Sequence, residues 1–209
     1  MISLSEYLKD PCGMLSIPYW KSKRISIPDN MKIIHGNDFN KTYLEKYTDE
    51  EYFRLYHTLE KIDHIHLENF KIITGGLNHI DTFVSIINES YSGIKVDDSQ
   101  IRGYTKTPVY YADLWILVKE ESTGKFIGSG IADYDTEAHE LILEWIQVLP
   151  GYRGYRIGQA IVSEMLQRMQ DIAAFATVSG KIENKTNPEA LYRRCGFVGN
   201  DVWHILREK

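Results

Sequence analysis

The chain has 209 residues, of which 43% are hydrophobic and 25% are charged, proportions that are ordinary for a globular domain. This length allows one sizeable hydrophobic core and an additional segment. The net charge of −5 argues against a general nucleic-acid-binding protein and is compatible with a cationic amine substrate.

Cysteine usage and hydropathy indicate the compartment. Cys12 and Cys195 are far apart in the sequence, which predicts neither a disulfide framework nor a metal cluster and favours a reducing compartment. The N-terminal segment MISLSEYLKDP has no basic region followed by an apolar one, so we expect no signal peptide. No apolar run approaches the ~20 residues of a membrane span. We therefore expect a cytoplasmic protein that binds neither nucleic acid nor membrane, with a homodimer left open.

Residues 1–67 differ in character from the rest of the chain. Prolines punctuate short aromatic stretches here, such as IPYWK at 17–21. Thr48 and Glu51 have the spacing of a capping box, which predicts a helix over 48–62. The segment has too few apolar residues for a core of its own. We expect an N-terminal extension that packs on a domain formed by residues 68–209.

From residue 68 onward, strands and helices alternate. The patterns predict strands at 70–74, 113–118, 126–134, 140–149, 173–180 and 201–206. They predict helices at 81–91, 97–104, 153–170 and 188–194, the second of them capped by Asp97. This mixed order predicts an α/β sheet with helices on both faces. The GSG sequence at 128–130 lies between strands and indicates close packing, whereas His64 and His66 are expected at the surface.

The turn at 148–158, VLPGYRGYRIG, joins a strand to an amphipathic helix. Gly154 and Gly158 allow close approach of the backbone, and Arg153 and Arg156 add positive charge. Such a turn directs several backbone N–H groups and the positive end of a helix dipole at one point, which suits a diphosphate. A glycine-rich turn of this kind can also be purely structural.

Three segments together carry a family resemblance: the strand ELILEWIQVLP at 140–150, the turn, and NPEALYRRCGF at 187–197. They resemble the GNAT superfamily, the acyl-CoA-dependent N-acyltransferases, over residues 68–209. That family carries a Q/R-x-x-G-x-G/A turn and a downstream Asn…Ala…Leu-Tyr-x-x-x-Gly-Phe segment. Here Arg156 replaces the central glycine of the turn and adds a cation. The resemblance implies a GNAT-type α/β fold with a mixed, mostly antiparallel central sheet, helices on both faces and a splayed strand pair at the coenzyme site.

The resemblance also implies acetyl-CoA as co-substrate and no metal. The backbone N–H of Val148 would polarise the thioester carbonyl, as an oxyanion hole does, and Pro150 fits because it cannot continue a paired ladder. The residues expected to hold the coenzyme are Gln147, Val148, Arg153, Gly154, Tyr155, Arg156, Ile157, Gly158, Gln159, Ala160, Asn184, Asn187 and Tyr192.

Glu144 is the candidate general base. Strict alternation along LILEWIQV would place it on one face with Ile142, Ile146 and Val148. Desolvation on an apolar face favours uptake of a proton by a carboxylate, as catalysis would need. The other reading is a structural carboxylate at a sheet edge, paired with a lysine or arginine. In the family a carboxylate on this strand often serves as the base, directly or through water.

Tyr192, in LYRRCGF, has the position of the family's general acid. A thiolate leaves when the acyl group moves, and a phenol is protonated at neutral pH and able to donate. The other reading is a tyrosine that packs beneath the coenzyme without donating a proton.

The resemblance implies an N-acetyltransferase that moves an acetyl group from acetyl-CoA to a primary amine by direct attack in a ternary complex. Small-molecule amines, antibiotics, protein N-termini and lysines all stay open as acceptors. A non-catalytic acyl-CoA-binding sensor is the alternative, since a pure binder needs the turn but neither Glu144 nor Tyr192. A P-loop nucleotide hydrolase is excluded because the turn lacks the Gly-Lys-Ser/Thr ending.

Overall fold

The computed structural model describes residues 2–209. Its α-helices are α1 Leu4–Tyr7, α2 Pro11–Met14, α3 Tyr19–Ser22, α4 Ile80–Ser90, α5 Asp98–Tyr104, α6 Ile157–Met169 and α7 Pro188–Arg194. Its strands are β1 Met31–His35, β2 Tyr47–His57, β3 Phe70–Thr74, β4 Tyr110–Glu120, β5 Phe126–Asp135, β6 Glu140–Val148, β7 Phe175–Lys181 and β8 Val198–Glu208. The predicted mixed α/β fold with mostly antiparallel strands is confirmed.

Contacts within the chain define two compact units. One is the continuous segment Thr58–Ala176, which contains β3 to β6 and α4 to α6. The other combines the residues up to His57 with Thr177–Lys209. Among residues 2–209, no helix is both long and apolar enough to cross a membrane. Cys12 and Cys195 are thiols, and His64 and His66 are exposed as predicted.

The unit Thr58–Ala176 is a four-stranded antiparallel sheet in the order β3-β4-β5-β6 with helices on both faces. On one face, α4 and α5 pack on buried side chains of the strands, including Trp115, Leu117 and Ile131. On the opposite face, Gly128 and Gly130 leave room for α6. A Cβ atom built on Gly130 would lie 2.6 Å from Cγ2 of Ile161. The close packing predicted for the GSG sequence is therefore confirmed.

The other unit has the strand order β1-β8-β2-β7, in which both β1 and β2 pair antiparallel with β8. At its centre the Arg54 side chain is only 1% exposed. Its guanidinium donates to Tyr7 Oη at 2.9 Å and to the Pro11 carbonyl at 3.2 Å. The indole N–H of Trp203 donates to the Cys12 carbonyl at 2.8 Å. These bonds tie the short N-terminal helices to the sheet.

The helix predicted over 48–62 is wrong, because this stretch contains strand β2. Thr48 does not cap a helix, since its hydroxyl donates to the Arg207 carbonyl at 3.2 Å. From Tyr47 to Arg54, each residue of β2 pairs with one residue of β8, beginning with Tyr47 opposite Glu208 and ending with Arg54 opposite Asp201. The long ladder with β8 satisfies backbone groups along most of β2, which outweighs a local capping pattern.

Candidate active site

The turn after β6 ends in an uncapped helix N-terminus. Pro150–Tyr152 form a short 3-10 turn, so α6 begins at Ile157 rather than at the predicted residue 153. The residue that precedes α6 makes no side-chain cap. The first N–H groups of a helix lack intrahelical partners. In α6 the first N–H group with such a partner is that of Ala160, which donates to the Arg156 carbonyl at 3.0 Å. The N–H groups of residues 157–159 therefore have the arrangement that binds anions at helix N-termini in general.

Two left-handed residues set the direction of this turn. Gly154 has φ of 92° and Arg156 has φ of 61°. An L-residue in this region costs roughly 1–2 kcal/mol, which gives a physical reason for a glycine at the central position of the family pattern. The Arg156 side chain is exposed, and its Nε donates to Gln159 Oε1 at 3.3 Å. Its positive charge consequently lies over the first turn of α6.

Arg153 holds the turn against two other elements of the same unit. Its Nε donates to the Val148 carbonyl at 3.2 Å, at the end of β6. Its Nη2 donates to the Ser90 carbonyl at 2.9 Å, at the last residue of α4. A cation at a helix C-terminus is favourable because the carbonyl ends carry negative partial charge. Arg153 thus positions the turn through backbone acceptors as well as adding charge.

The backbone N–H of Val148 and the side chain of Gln147 point in different directions. Val148 lies opposite Gly128, and the Leu149 N–H donates to the Ile127 carbonyl at 2.9 Å. Because the N–H groups of successive strand residues point to opposite edges, the Val148 N–H points away from β5. The Gln147 side chain is only 2% exposed. Its Oε1 accepts from the Ser129 hydroxyl at 3.0 Å, so this side chain faces the interior of its unit.

Glu144 lies in a β-bulge of β6. Trp145 pairs with Ile131, and the next pair is Leu143 with Ala132. Glu144 is the extra residue between these pairs, and its side chain is partly buried. An extra residue increases the local twist and redirects the side chains next to it.

The bulge corrects the predicted face of Glu144. Ile142 pairs with Asp133 and Ile146 pairs with Gly130. Asp133 and Gly130 are three residues apart on β5, so they point to opposite faces, and their partners do the same. The expectation that Ile142 and Ile146 share one face with Glu144 is therefore wrong. The additional residue reverses the alternation, and sequence periodicity cannot detect it.

Aromatic side chains surround this part of β6. Tyr91 and Trp145 are in edge contact, with ring centroids 6.3 Å apart, and both are partly buried against the core that contains the fully buried Trp115. Burial raises the pKa of the Tyr91 hydroxyl above its usual value of 10, and the neighbouring Gln147 amide and the charge of Arg153 offset part of this effect. Tyr91 is thus a neutral phenol at physiological pH.

A cleft of about 540 Å³ adjoins the turn within the unit Thr58–Ala176. The aromatic rings of Phe70, Tyr152 and Tyr155 line it, together with Arg156 and the carboxylate of Glu120. Phe70 makes edge contacts with both tyrosines, at centroid distances of 6.2 and 6.3 Å. The cleft therefore offers aromatic faces next to a cation.

The remaining predicted residues belong to the other unit. Asn184 Oδ1 accepts from the Thr186 N–H at 3.0 Å. Asn187 has φ of 46° and caps α7 by accepting from the Ala190 N–H at 3.3 Å. Both amide oxygens thus shape the loop before α7.

Tyr192 is 8% exposed and packs between two aromatic rings of its unit. Its ring centroid is 6.2 Å from that of Phe53 and 5.9 Å from that of Phe197. This packing fixes the orientation of the phenol.

Sequence reasoning missed two contributors to the geometry of the turn. The Ser90 carbonyl accepts a hydrogen bond from Arg153, and the ring of Tyr91 contacts that of Trp145. Both residues come from the end of α4, more than fifty positions before β6 ends. No spacing rule links positions so far apart, so only the packed structure identifies them.

Comparison with known proteins identifies the type of fold. Residues 111–199 match the family model described as an acetyltransferase (GNAT) domain. A search among curated proteins finds no match. A GCN5-related N-acetyltransferase from Sphaerobacter thermophilus is similar with a TM-score of 0.72 at 16% identity, over 85% of this chain and 58% of that chain.

Two further solved structures show the same fold. One is a GCN5-related N-acetyltransferase from Kribbella flavida, with a TM-score of 0.59 at 11% identity, over 85% of this chain and 67% of that chain. The other is Ard1 from Thermoplasma volcanium, with a TM-score of 0.55 at 12% identity, over 68% of this chain and 98% of that chain. The chain spans 52% to 62% of the length of three of the structures it matches. It therefore has the fold of the acyl-CoA-dependent N-acyltransferases and carries a GNAT-superfamily segment at residues 111–199.

Proposed function

We propose that this protein is an N-acetyltransferase that moves an acetyl group from acetyl-CoA to a primary amine on a small molecule or peptide. The observation that carries this proposal is the uncapped N-terminus of α6, which follows the left-handed Arg156. The coenzyme diphosphate would accept from the N–H groups of residues 157–159, next to the Arg156 guanidinium.

The other parts of the coenzyme would bind to residues of the same unit, Thr58–Ala176. The adenosine portion would lie in the cleft beside the turn, where the rings of Phe70, Tyr152 and Tyr155 can stack on a purine. The Val148 N–H, which points away from β5, would donate to the thioester carbonyl. The acceptor amine would contact half-buried aromatic side chains, which include Tyr91 and Trp145.

The chemistry would be direct transfer in a ternary complex. The amine nitrogen attacks the thioester carbon, and Glu144 takes up the proton that the nitrogen loses, directly or through water. The C–S bond then breaks, and the thiolate takes a proton from the Tyr192 hydroxyl. Each step balances with these two groups alone, so no metal is needed.

We also propose that residues 1–67 are an extension packed on an acyltransferase domain at 68–209. This is supported by the pairing of both N-terminal strands, β1 and β2, with β8. The thiol state of Cys12 and Cys195 supports a cytoplasmic location.

A non-catalytic acyl-CoA sensor is the second candidate. The observation that favours it is the packing of Tyr192 between Phe53 and Phe197, which suits a structural tyrosine. A sensor would bind the coenzyme at the turn and leave every amine unmodified.

A screen of primary amines with acetyl-CoA, in which release of the coenzyme thiol is measured, separates the two candidates. The enzyme should release thiol with at least one class of amine, and Glu144→Gln should abolish most of that rate. Tight coenzyme binding with no thiol release from any amine would favour the sensor. Longer acyl-CoA donors in the same assay test the preference for acetyl.

A further inference from the structure

Strands β2 and β8 bring together three side chains that the proposed acyl transfer does not use. Glu51 lies directly opposite His204 in the register, and Asp49 is two residues earlier on β2, so all three point to one face. His204 Nδ1 is 2.8 Å from Asp49 Oδ2 and 3.9 Å from Glu51 Oε1. One ligand atom from each residue falls within 4.8 Å of the other two.

The imidazole of His204 is held in place. Phe39 stacks on it with ring centroids 3.8 Å apart and planes inclined by 7°. The residue is only 6% exposed. The stacked ring therefore keeps Nδ1 directed at the two carboxylates and loses little freedom when it binds a ligand.

The second oxygen of Asp49 is unsatisfied. Asp49 Oδ1 is buried and has no hydrogen-bond partner among residues 2–209. A buried carboxylate oxygen without a donor is unfavourable, and the nearby carboxylate of Glu51 adds like-charge repulsion. A bound cation would relieve both costs at once.

We propose that Asp49, Glu51 and His204 bind a divalent first-row transition-metal ion, with Zn²⁺ as the representative, that clamps β2 onto β8. Imidazole nitrogen together with carboxylate oxygen suits Zn²⁺ and disfavours the oxygen-seeking Mg²⁺. Three protein ligands leave a fourth position for water. The site is separate from the proposed function, because acyl transfer requires no metal.

The distances fit such an ion after small side-chain movements. Metal–ligand bonds of about 2.0–2.2 Å place neighbouring ligand atoms about 3.3 Å apart in a tetrahedral site. The separations of 2.8 and 3.9 Å from His204 Nδ1 lie on either side of this value. The Glu51 side chain is 47% exposed and is able to make the larger adjustment.

Calorimetric titration of the full chain with ZnCl₂, after treatment with a chelator, tests the proposal. We expect one Zn²⁺ per chain, a higher unfolding temperature with Zn²⁺, and neither effect with MgCl₂. Glu51→Gln and His204→Gln should each weaken Zn²⁺ binding at least tenfold. The matched control is His35→Gln, which removes a similar His–carboxylate pair with Asp201 at 3.1 Å and should leave Zn²⁺ binding unchanged.

Glu51→Gln is the decisive variant, because the exposed side chain can be changed without disturbing the core. A wild-type chain with no saturable Zn²⁺ binding would overturn the proposal. Zn²⁺ binding of unchanged affinity in Glu51→Gln would also overturn it, since other residues would then hold the ion. Neither Zn²⁺ binding nor the unfolding temperature depends on acyl transfer, so the proposed function and the proposed metal site can be refuted independently.

Discussion

Trp145 of β6 lies opposite Ile131 of β5, and Glu144 is the extra residue that separates this pair from the next one. The resulting bulge moves Glu144 out of the regular alternation of the strand. The partly buried side chain of Glu144 therefore does not lie on the face that regular alternation would give it.

Glu144→Gln should lower the rate of acyl transfer by about 10²–10⁴-fold, because glutamine keeps the shape of the side chain and cannot accept a proton. The deficit should shrink at high pH, where the free amine is already deprotonated. Steady-state rates across pH measure this, and Glu121→Gln in the exposed turn after β4 is the control. A full rate in Glu144→Gln at neutral pH would exclude Glu144 as the base.

Tyr192→Phe should slow transfer at every pH, because high pH does not supply the proton that the leaving thiolate needs. Phenylalanine preserves the packing against Phe53 and Phe197, so the unfolding temperature should change little. Coenzyme affinity should stay near normal. Full activity in both Tyr192→Phe and Glu144→Gln would show that the assignment of acid and base is wrong.

Gly158→Val should weaken coenzyme A binding strongly, because a branched side chain at the second residue of α6 would intrude on the phosphates. Titration calorimetry with coenzyme A measures the change. Gln167→Val, at the other end of the same helix, controls for the introduction of a β-branched residue into α6. Equal affinity in Gly158→Val and the wild type would remove the basis for this anion site.

Arg156→Gly and Arg156→Ala should separate backbone strain from charge. Both variants lose the cation, so both should bind coenzyme A more weakly than the wild type, with a smaller dependence on salt. The glycine variant should be more stable than the alanine variant by about 1 kcal/mol, because the φ of 61° is left-handed. Urea unfolding compares the two, and equal stabilities would contradict the left-handed geometry.

Removal of residues 1–67 should destabilise the remaining chain, because β8 would lose both β1 and β2, its two neighbours. The hydrogen bonds that the buried Arg54 guanidinium donates to the hydroxyls of Ser179 and Thr177 would be lost as well. Limited proteolysis followed by thermal unfolding of the product measures this. A rapidly formed fragment that begins near residue 68 and melts like the intact chain would show that the extension is not docked.

Local sequence signals were sufficient to predict an element where capping residues, prolines or glycines mark its ends. The helix predicted at 188–194 has these bounds in the structure, with Pro188 in its first turn, and Asp97 caps α5 as expected. The turn after β6 was likewise evident from Gly154, Arg156 and Gly158. The physical reason is that capping, fixed φ values and glycine freedom act within a few residues.

Tertiary pairing decided what local signals could not. The stretch after Thr48 has a helical capping pattern, yet it forms β2 because β8, about 150 residues later, provides a complementary edge. The bulge at Glu144 depends on the register with β5. The grouping of Asp49 with His204 likewise depends on the register with β8. From residue 68 onward, sequence alone determined most of the local elements and the glycine-rich turn after β6. Which distant side chains meet was decided by strand register, which no local spacing encodes.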